Sequence, residues 1–513
     1  MKKILQHTVI VAIVLLIACN KQEIKSTVQA NNPTVLSTAV IDAFIRQQIE
    51  LNHKFEWSTA SDEMVWSALQ QSDNVMSIGY QPEGEVNVAE RLAGIDIKED
   101  KWTNAREKVL NIIMGYEQAT HPELTLSNLE QWKENILPVV DVRVENLETV
   151  KALRASGLVR YAEPMGYEPK QNTANKTASS SGCGSNVAAT NLINEVDYTT
   201  ILPNTKQSWN YQFHGIPGAW TKTTGSGIKV FIIDTGSEFD QENLGSTFNQ
   251  GSSSGRTVEK IVTLPRSTFL GIPTGSVETP DDGCGHGTSM AGACAAPRGT
   301  DGAACGVAYN CNLVTCRAAA DVYLDDSREV KGASDAYTNA ANRADVKIIS
   351  MSMGKITSSS QLSDAIKYAY GKGKLLFCAA GTSFGWSAGW FGVIFPGYMA
   401  EVNAVTGVKD NNFNSNCSEC HQGVETDFTV VMEKSANGRR PLSLAMSGNV
   451  PSTVGGSSVA TATTAGMAAL IWSRFPTMTR DQVVTKMIQN SSNYPTKSNN
   501  LGWGNLNVNS ATN

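Results

Sequence analysis

The chain has 513 residues, which is too long for one hydrophobic core and predicts about three domains. Charged residues make up 18% and hydrophobic residues 41%, a balance that indicates a folded globular protein and argues against disorder. The formal net charge of -6 provides no basic surface of the kind that binds nucleic acid, so we expect no nucleic-acid partner.

The N-terminus is predicted to be an export signal. Lys2 and Lys3 precede an apolar run, Val9–Ala18, that is too short for an ordinary membrane-spanning helix. Its end, Leu16-Ile17-Ala18-Cys19, resembles a bacterial lipobox, which implies removal of a signal peptide (1–18) and lipidation of Cys19. A plain signal peptide is the alternative. We therefore expect a lipid-anchored precursor in a bacterial cell envelope.

Nine cysteines remain after Cys19, and export permits them to form disulfides. Because nine is odd, at least one thiol stays free. Cys378 is the candidate, since Leu375–Ala379 has the pattern of a buried strand. The pairing of the others cannot be deduced from sequence.

Residues 19–70 comprise a polar tether, to about residue 34, and an N-terminal helical segment with helical apolar spacing. Residues 71–170 alternate between strand and helix patterns and predict a small α+β domain. The strands are Val75–Tyr80, Val139–Val144 and Val159–Ala162, and the helices are Ala105–Tyr116 and Leu147–Ser156. The polar stretch 171–182 has the composition of a linker.

Residues 183–513 have a different pattern, in which continuous apolar strands alternate with helices of small residues. The predicted strands are Ile228–Ile233, Leu313–Cys316, Val346–Ser350, Lys374–Ala379 and Val402–Val408. Strands that are apolar on both faces are typical of a parallel sheet covered by helices on both sides. The predicted fold class is therefore α/β, with a parallel sheet flanked by helices and preceded by the small α+β domain.

The first chemical motif is the segment Phe231–Gly236, in which an apolar strand ends at Asp234 before a glycine turn. Open α/β sheets place ligands at the carboxyl ends of their strands, where an Asp can orient a histidine. The segment also matches the Asp-Thr-Gly of aspartic proteases. Those enzymes need two such acids, and no second Asp-Thr-Gly or Asp-Ser-Gly occurs here.

The second motif is Gly285–Gly292, where His286 opens a helix of very small residues. Such a helix can approach a sheet closely, and a neutral histidine can take up and return a proton. The third motif is Gly455–Ala462, which places Ser458 at the start of an apolar helix. Unpaired N–H groups there favour a developing oxyanion, although a serine helix cap has the same pattern.

The three motifs occur in the order Asp234, His286, Ser458, and from about residue 209 onward the chain resembles the subtilisin-like serine protease family. Further segments that resemble the family are Ile216–Trp220, Gly306–Ala308, Ser350–Gly354 and Gly502–Val508. The resemblance implies that Ser458 attacks a peptide carbonyl, His286 shuttles the proton and Asp234 holds the histidine tautomer. Protein or peptide substrates are implied, and we expect a monomer.

The resemblance also implies a substrate cleft and an inhibitor. The implied substrate-binding residues are Ser350, Ser352, Met353, Gly354, Ala379, Ala380 and Gly381. The segment Val139–Pro164 looks like the end of an inhibitor-type propeptide, so residues 71–170 would inhibit the enzyme intramolecularly before autoprocessing. Cleavage before Cys183 would separate the lipid on Cys19 from the catalytic domain, 183–513, and could release it outside the cell.

The sequence departs from the family pattern at Thr382. The family places an Asn after the turn that corresponds to Ala379-Ala380-Gly381, and its amide is a donor of the oxyanion hole. Loss of such a donor costs about 10²–10³ in kcat. Thr382 together with the Ser458 N–H would form an adapted oxyanion hole; the alternative is a catalytically weak binding or scaffolding lipoprotein on the same fold.

We expect no required cofactor. The segment Cys417–His421 matches the c-type haem attachment pattern, but it lies in a polar connection, where a local disulfide or a metal-free loop is the better interpretation. The acidic pairs Asp281-Asp282 and Asp325-Asp326 could bind structural calcium or form solvated turns. The position of a usual calcium ligand of the family is Asn243 here, so the metal sites stay open.

Overall fold

The computed structural model describes residues 34–169, 183, 186–382 and 392–513. The predicted signal peptide (1–18), the lipidated Cys19 and the linker (171–182) lie outside the described residues. Within the described part of the chain, no helix combines the length and apolar character that a membrane span needs. Val35–Asn513 forms one compact unit.

The N-terminal region, residues 35–169, is built around a four-stranded antiparallel sheet. Its strands are β1 (Val75–Tyr80), β2 (Glu130–Trp132), β3 (Val139–Arg143) and β4 (Val159–Pro164), in the order β2-β3-β1-β4. Its helices are α1 (Thr38–Asn52), α2 (Asp62–Gln70), α3 (Val88–Arg91), α4 (Asp100–Glu117) and α5 (Leu147–Ala155). All the strands and helices predicted here are present; α4 begins five residues before the predicted helix, and β2 was not predicted.

The larger region contains a seven-stranded sheet. Its strands are β7 (Lys229–Asp234), β8 (Val258–Val262), β11 (Asn312–Arg317), β12 (Val346–Met351), β13 (Leu375–Ala379), β14 (Asn403–Lys409) and β15 (Thr426–Glu433). They run parallel in the order β15-β14-β13-β12-β7-β11-β8. The predicted α/β fold is therefore confirmed, and the two edge strands β8 and β15 are additions to the predicted set.

The remaining elements surround this sheet. The helices are α6 (Ile216–Ala219), α7 (His286–Ala295), α8 (Ser327–Asn342), α9 (Ser360–Gly371), α10 (Gly456–Arg474), α11 (Arg480–Gln489) and α12 (Val508–Ala511). Three short antiparallel pairs are formed by β5 (Tyr198–Ile201) with β6 (Thr205–Ser208), β9 (Thr268–Phe269) with β10 (Ile272–Pro273), and β16 (Leu442–Ser443) with β17 (Ser452–Thr453).

Strand β7 separates two hydrophobic cores. Val230 and Ile232 belong to one core, together with residues of α7 and α10, whereas Phe231 and Ile233 belong to the other, together with residues of α8 and α9. Because neighbouring strand residues point to opposite faces, β7 is apolar throughout. Asp234 ends this strand, so the first motif lies at the carboxyl edge of the sheet.

The N-terminal region packs onto α8 and α9. Arg160 donates two hydrogen bonds to the buried carboxylate of Asp364 on α9, at 3.1 and 2.6 Å. The carboxylate of Glu163 accepts from the N–H and hydroxyl of Ser360, at the first turn of that helix. A carboxylate at this position satisfies a helix N–H that has no partner inside the helix. The two regions thus share charged contacts in addition to one apolar core.

A close approach between α8 and the loop after β11 provides a stability test. A Cβ at Gly332 would lie 2.1 Å from the carbonyl oxygen of Ala318, whereas a Cβ at Gly115, on the exposed face of α4, would meet nothing within 4 Å. We expect Gly332→Ala to lower the free energy of unfolding by about 1–3 kcal/mol, because the helix must shift. Gly115→Ala should raise it by up to about 1 kcal/mol, the ordinary helix-propensity gain.

Denaturant unfolding of the full chain and both variants measures this difference. An equal effect of the two substitutions would contradict the close approach of α8.

Candidate active site

Asp234 and His286 meet at the carboxyl end of β7. The Asp234 side chain is fully buried, and its Oδ1 lies 2.7 Å from Nδ1 of His286, the first residue of α7. The N–H of Thr235 also donates to Oδ1, at 2.8 Å, and fixes the carboxylate. A carboxylate in this position selects the tautomer of His286 that carries its proton on Nδ1, which leaves Nε2 as the basic nitrogen.

The small residues at the start of α7 make this contact possible. A Cβ at Gly287 would lie 2.3 Å from the carbonyl oxygen of Gly236 and 3.2 Å from Cβ of Asp234. No larger side chain fits between the helix and the end of β7, so the glycine after the histidine sets the distance between the two side chains. The predicted close approach of this helix to the sheet is confirmed.

Asp282 was interpreted from sequence as a cation ligand or turn residue, but it caps the helix that begins with His286. Its buried Oδ1 accepts from the Thr235 hydroxyl and the Gly285 N–H, both at 2.8 Å. Its Oδ2 accepts from the N–H and hydroxyl of Thr288, at 2.8 and 2.7 Å. Asp282 therefore ties α7 to the residue after Asp234. An acid four residues before the histidine, next to unpaired helix N–H groups, is the signal that could have identified it.

The pKa of His286 reflects two opposing effects. Burial lowers it, but the charge and hydrogen bond of Asp234 outweigh burial and raise the pKa above its ordinary value, and the charges of Asp282 and Asp321 act in the same direction. His214 and His421 have pKa values shifted in the opposite direction. Burial lowers the pKa of His214 and of His421 to about 4. His214 bonds to backbone groups through both ring nitrogens, which agrees with the structural role predicted for it.

Ser458 lies on the first turn of α10 and is only partly buried. Its hydroxyl donates to the carbonyl oxygen of Ser352 at 3.3 Å, and the Ser352 hydroxyl donates to the carbonyl of Ser458 at 3.0 Å. Gly456, with φ of +81°, begins the turn, and a Cβ there would lie 3.0 Å from the Thr382 hydroxyl oxygen. The helix start thus holds Ser458 beside the predicted substrate segment, and its hydroxyl bonds to Ser352 rather than to His286.

Thr382 contacts the residue before Ser458. Its hydroxyl oxygen accepts from the Ser457 N–H at 3.2 Å and lies 2.8 Å from the Ser457 hydroxyl oxygen, which itself accepts from the Gly381 N–H at 3.3 Å. Either hydroxyl can be the donor between Thr382 and Ser457. The Thr382 hydrogen is available to a further acceptor when Ser457 donates.

The predicted substrate-binding residues lie together, but many of their backbone groups are already bonded. Gly354 donates to the carbonyl of Val322 at 3.2 Å and accepts from the Leu324 N–H at 3.0 Å. Ala380 bonds to Val405 and Ile394, and Gly381 accepts from His421. Ser350 and Ala379 lie near the ends of β12 and β13, and Met353 is buried in the apolar core. A substrate that paired with Gly354 would have to replace its bonds to Val322 and Leu324.

Disulfides form beside the site. Cys183 pairs with Cys284, two residues before His286, and Cys417 pairs with Cys420. The second bond agrees with the local disulfide predicted for the haem-like pattern, and it removes both thiols that haem attachment needs. His421 packs against Gly381, where a Cβ would lie 2.5 Å from its Nδ1. Cys378 is a buried free thiol, as predicted, and four further described cysteines are also buried and free: Cys294, Cys305, Cys311 and Cys316.

Asp281, Asp282 and Asp326 bond to donors of the protein itself, and calcium binding by the acidic pairs stays a prediction. Both oxygens of Asp282 are used by protein donors, Asp281 accepts from the Phe239 N–H at 2.9 Å, and Asp326 caps α8. The amide nitrogen of Asn243 donates to Asp301 at 2.9 Å. In the described ranges no group of three or more His, Cys, Asp or Glu side chains could hold a metal ion.

The chain is similar to several known proteins. A subtilisin from Bacillus sp. (strain TA39) is 27% identical over 296 residues, which cover 55% of this chain and 65% of the Bacillus protein. Subtilisin DY of Bacillus licheniformis is 30% identical over 273 residues, which cover 52% of this chain and 85% of that protein. Among solved structures, MycP1 from Mycobacterium smegmatis aligns with a TM-score of 0.45 and 20% identity, over 62% of this chain and 88% of that one.

The chain thus spans less than two thirds of the length of the first of these relatives. A family model described as the subtilase family matches residues 225–504, which is more than half of the chain and includes Asp234, His286 and Ser458. The chain belongs to the subtilase family.

Proposed function

We propose that this chain is an exported serine endopeptidase in which Ser458 is the nucleophile, His286 the general base and Asp234 the orienting acid. The observation that carries the proposal is the 2.7 Å contact between His286 Nδ1 and the buried Asp234 carboxylate. That contact leaves Nε2 of His286 as the proton acceptor, on the helix that packs against the helix of Ser458.

The reaction requires one rearrangement at Ser458. Its hydroxyl turns from the Ser352 carbonyl to His286, which takes the proton as the serine oxygen attacks the peptide carbonyl. His286 then gives the proton to the leaving amine, and an acyl ester remains on Ser458. A water molecule, deprotonated by His286, hydrolyses that ester and restores the enzyme. Asp234 stabilises the cationic histidine that forms in both steps.

The oxyanion would receive two donors. The backbone N–H of Ser458 is one, because it belongs to the first turn of α10 and has no partner inside the helix. The Thr382 hydroxyl is the second: its oxygen accepts from the Ser457 N–H, and its hydrogen would point to the oxyanion while the Ser457 hydroxyl donates to Thr382. A hydroxyl held by a buried neighbour is a preorganised donor of the kind that stabilises developing charge.

A catalytically weak binding or scaffolding lipoprotein is the second candidate. Two observations favour it: Thr382 replaces the amide donor of the family, and the Ser458 hydroxyl bonds to Ser352. Either candidate has the same fold, so only reactivity of Ser458 separates them.

Maturation follows from the order of the parts. The N-terminal region packs on α8 and α9, which supports its role as an intramolecular inhibitor of the catalytic region. We place the maturation cleavage between residue 170 and Cys183, because Cys183 is bonded to Cys284 and stays with the catalytic region. Such cleavage would separate that region from the lipid predicted on Cys19.

A fluorophosphonate probe tests the function, because it reacts only with an activated serine. We expect labelling of the full chain expressed in a bacterial envelope, and no labelling of Ser458→Ala. Ser363→Ala, which removes a serine on α9 whose hydroxyl donates to the nearby Ser359 carbonyl, is the matched control and should label normally. After denaturation and detergent partitioning, the labelled fragment should enter the aqueous phase.

Absence of labelling in a folded, processed protein would overturn the peptidase function. Recovery of the labelled fragment in the detergent phase after denaturation would refute the proposed separation from the lipid.

The pH dependence follows from the raised pKa of His286. The catalytic base must be neutral, so kcat/KM should rise with pH through a pKa above the ordinary value of about 6.5. A pKa raised by folding stabilises the protein below the ordinary pKa, and this contribution is lost as pH rises through the folded-state value. Asp234→Asn should lower the pKa of His286 and reduce kcat by about 10⁴-fold, because the tautomer is no longer fixed.

An NMR titration of histidine-labelled full chain between about pH 5.5 and 9 measures the pKa directly. His214, whose pKa is lowered to about 4, is the internal control and should not titrate in that range. An unchanged His286 pKa in Asp234→Asn would contradict the proposed electrostatic coupling.

A further inference from the structure

The carboxylate of Glu168, four residues after the end of β4, lies among donors of the catalytic region. One oxygen accepts from the Tyr323 hydroxyl at 2.6 Å and from the Ile356 N–H at 2.9 Å. The other accepts from the Thr357 N–H at 3.2 Å and from the Thr357 hydroxyl. Nζ of Lys355 lies 3.3 Å from it. We call the four donor residues the Glu168 pocket: Tyr323, Lys355, Ile356 and Thr357.

The Glu168 pocket has the chemistry of a carboxylate site. It supplies two hydroxyls, two backbone N–H groups and one ammonium, and each is a donor to an acceptor-only carboxylate. Lys355 and Thr357 are fully buried, and the Glu168 side chain is 3% exposed. The backbone that presents these donors is fixed, since the Lys355 N–H donates to the carbonyl of Phe395 at 3.0 Å.

The charge of the pocket is balanced by the N-terminal region. Lys355 belongs to the catalytic region, whereas Glu168, its ion-pair partner, precedes the proposed maturation cleavage. The other contact of the Lys355 ammonium is the carbonyl of Met165, at 3.1 Å, in the same N-terminal segment. When that segment leaves, the pocket keeps a cation and four uncharged donors with no carboxylate between them. Such a cluster of donors around a cation favours an acceptor that carries a negative charge.

The pocket adjoins the predicted substrate segment. The Gly354 N–H donates to the carbonyl of Val322. Tyr323 is the residue after Val322, and Lys355 is the residue after Gly354. Ile356 lies four residues after Ser352, whose carbonyl accepts from the Ser458 hydroxyl. An extended substrate lying along this segment therefore reaches the pocket with a side chain about four residues from the bond at Ser458.

The position of Glu168 in the chain indicates on which side of the cleaved bond the pocket lies. Glu168 lies on the amino side of the region in which we place the maturation cleavage. A substrate that follows the same path would present its side chain to the pocket from the amino side of the bond that is cut.

We propose that the Glu168 pocket is a specificity site that binds an acidic side chain of the substrate, about four residues before the cleaved bond, after the N-terminal segment has left. This inference rests on the proposed peptidase function and defines its substrate class as peptides with Glu or Asp at that position. Glu168 occupies the site in the uncleaved chain.

Cleavage of matched peptides tests the proposal. A single Glu or Gln is moved through the residues before the cleaved bond, and product masses identify that bond. At one position we expect kcat/KM for Glu to exceed that for Gln by at least about tenfold. The NH₂ group of Gln is a donor and would face the donors of the pocket without an acceptor. Tyr323→Phe should reduce this ratio. Tyr370→Phe removes a hydroxyl at the exposed end of α9 and should leave the ratio unchanged.

A binding measurement on the full chain does not depend on catalysis. In Glu168→Ala, propionate should raise Tm by at least about 2 °C at constant ionic strength, because it restores a carboxylate to the pocket, whereas propionamide should not. Glu168→Gln, which fills the pocket with an amide, should not respond to propionate and is the control for propionate binding elsewhere on the chain.

The outcomes separate the two proposals. Without labelling of Ser458 the peptidase function fails, and the propionate effect alone then decides whether the pocket binds carboxylates. An active enzyme that cuts Glu and Gln peptides equally at every position overturns the specificity site. The absence of any propionate effect on folded Glu168→Ala overturns it as well.

Discussion

The approach of α7 to the end of β7 is the contact on which the arrangement of the site depends. A glycine at 287 lets the helix lie against the Gly236 carbonyl, and this places His286 at 2.7 Å from Asp234. Asp282 secures the same junction from the other side by bonding both to Thr235 and to the first N–H groups of the helix. The orientation of His286 therefore rests on its contact with Asp234, and Gly287 and Asp282 hold the helix where that contact can form.

Close packing also positions Ser458, the proposed nucleophile, on α10. Gly466 allows α10 to pack against the neighbourhood of α7, since a Cβ there would lie 2.8 Å from Cβ of Val307 and 3.2 Å from the Cys294 carbonyl. On the opposite face of the sheet, α8 and α9 pack against the N-terminal region. Glu168, in the last described segment of that region, accepts hydrogen bonds from Tyr323 and Ile356. One face of the sheet thus positions the chemistry, and the other positions the segment that occupies the adjoining pocket.

Local patterns were sufficient to predict much of this arrangement. The apolar strand before Asp234, the small residues after His286 and the glycines before Ser458 each encode a local geometry, and the structure contains all three. The edge strands β8 and β15 were missed because charged residues interrupt their apolar runs: Glu259 and Lys260 in β8, and Asp427 and Glu433 in β15. The role of Asp282 was missed because a carboxylate before a glycine has the same pattern in a solvated turn and in a helix cap.

Contacts between distant residues could not be predicted in this way. Cys183 and Cys284 are 101 residues apart, and Glu168 and Thr357 belong to different regions of the chain. The engagement of Gly354 by Val322 and Leu324 depends on how two connections fold together, which no local pattern encodes. The Thr382–Ser457 hydroxyl pair is a similar case. The absence of the family's Asn amide could be read from the sequence, but the contact between Thr382 and Ser457 could not.

The central claim is that Ser458 forms a covalent acyl intermediate. The most direct measurement is rapid acid quenching of the processed protein during its reaction with a p-nitrophenyl acyl ester, followed by digestion and mass analysis. We expect an acyl group on the peptide that contains Ser458, formed in a burst and absent in Ser458→Ala. Turnover of the ester by the folded protein with no acyl group at Ser458 would contradict it.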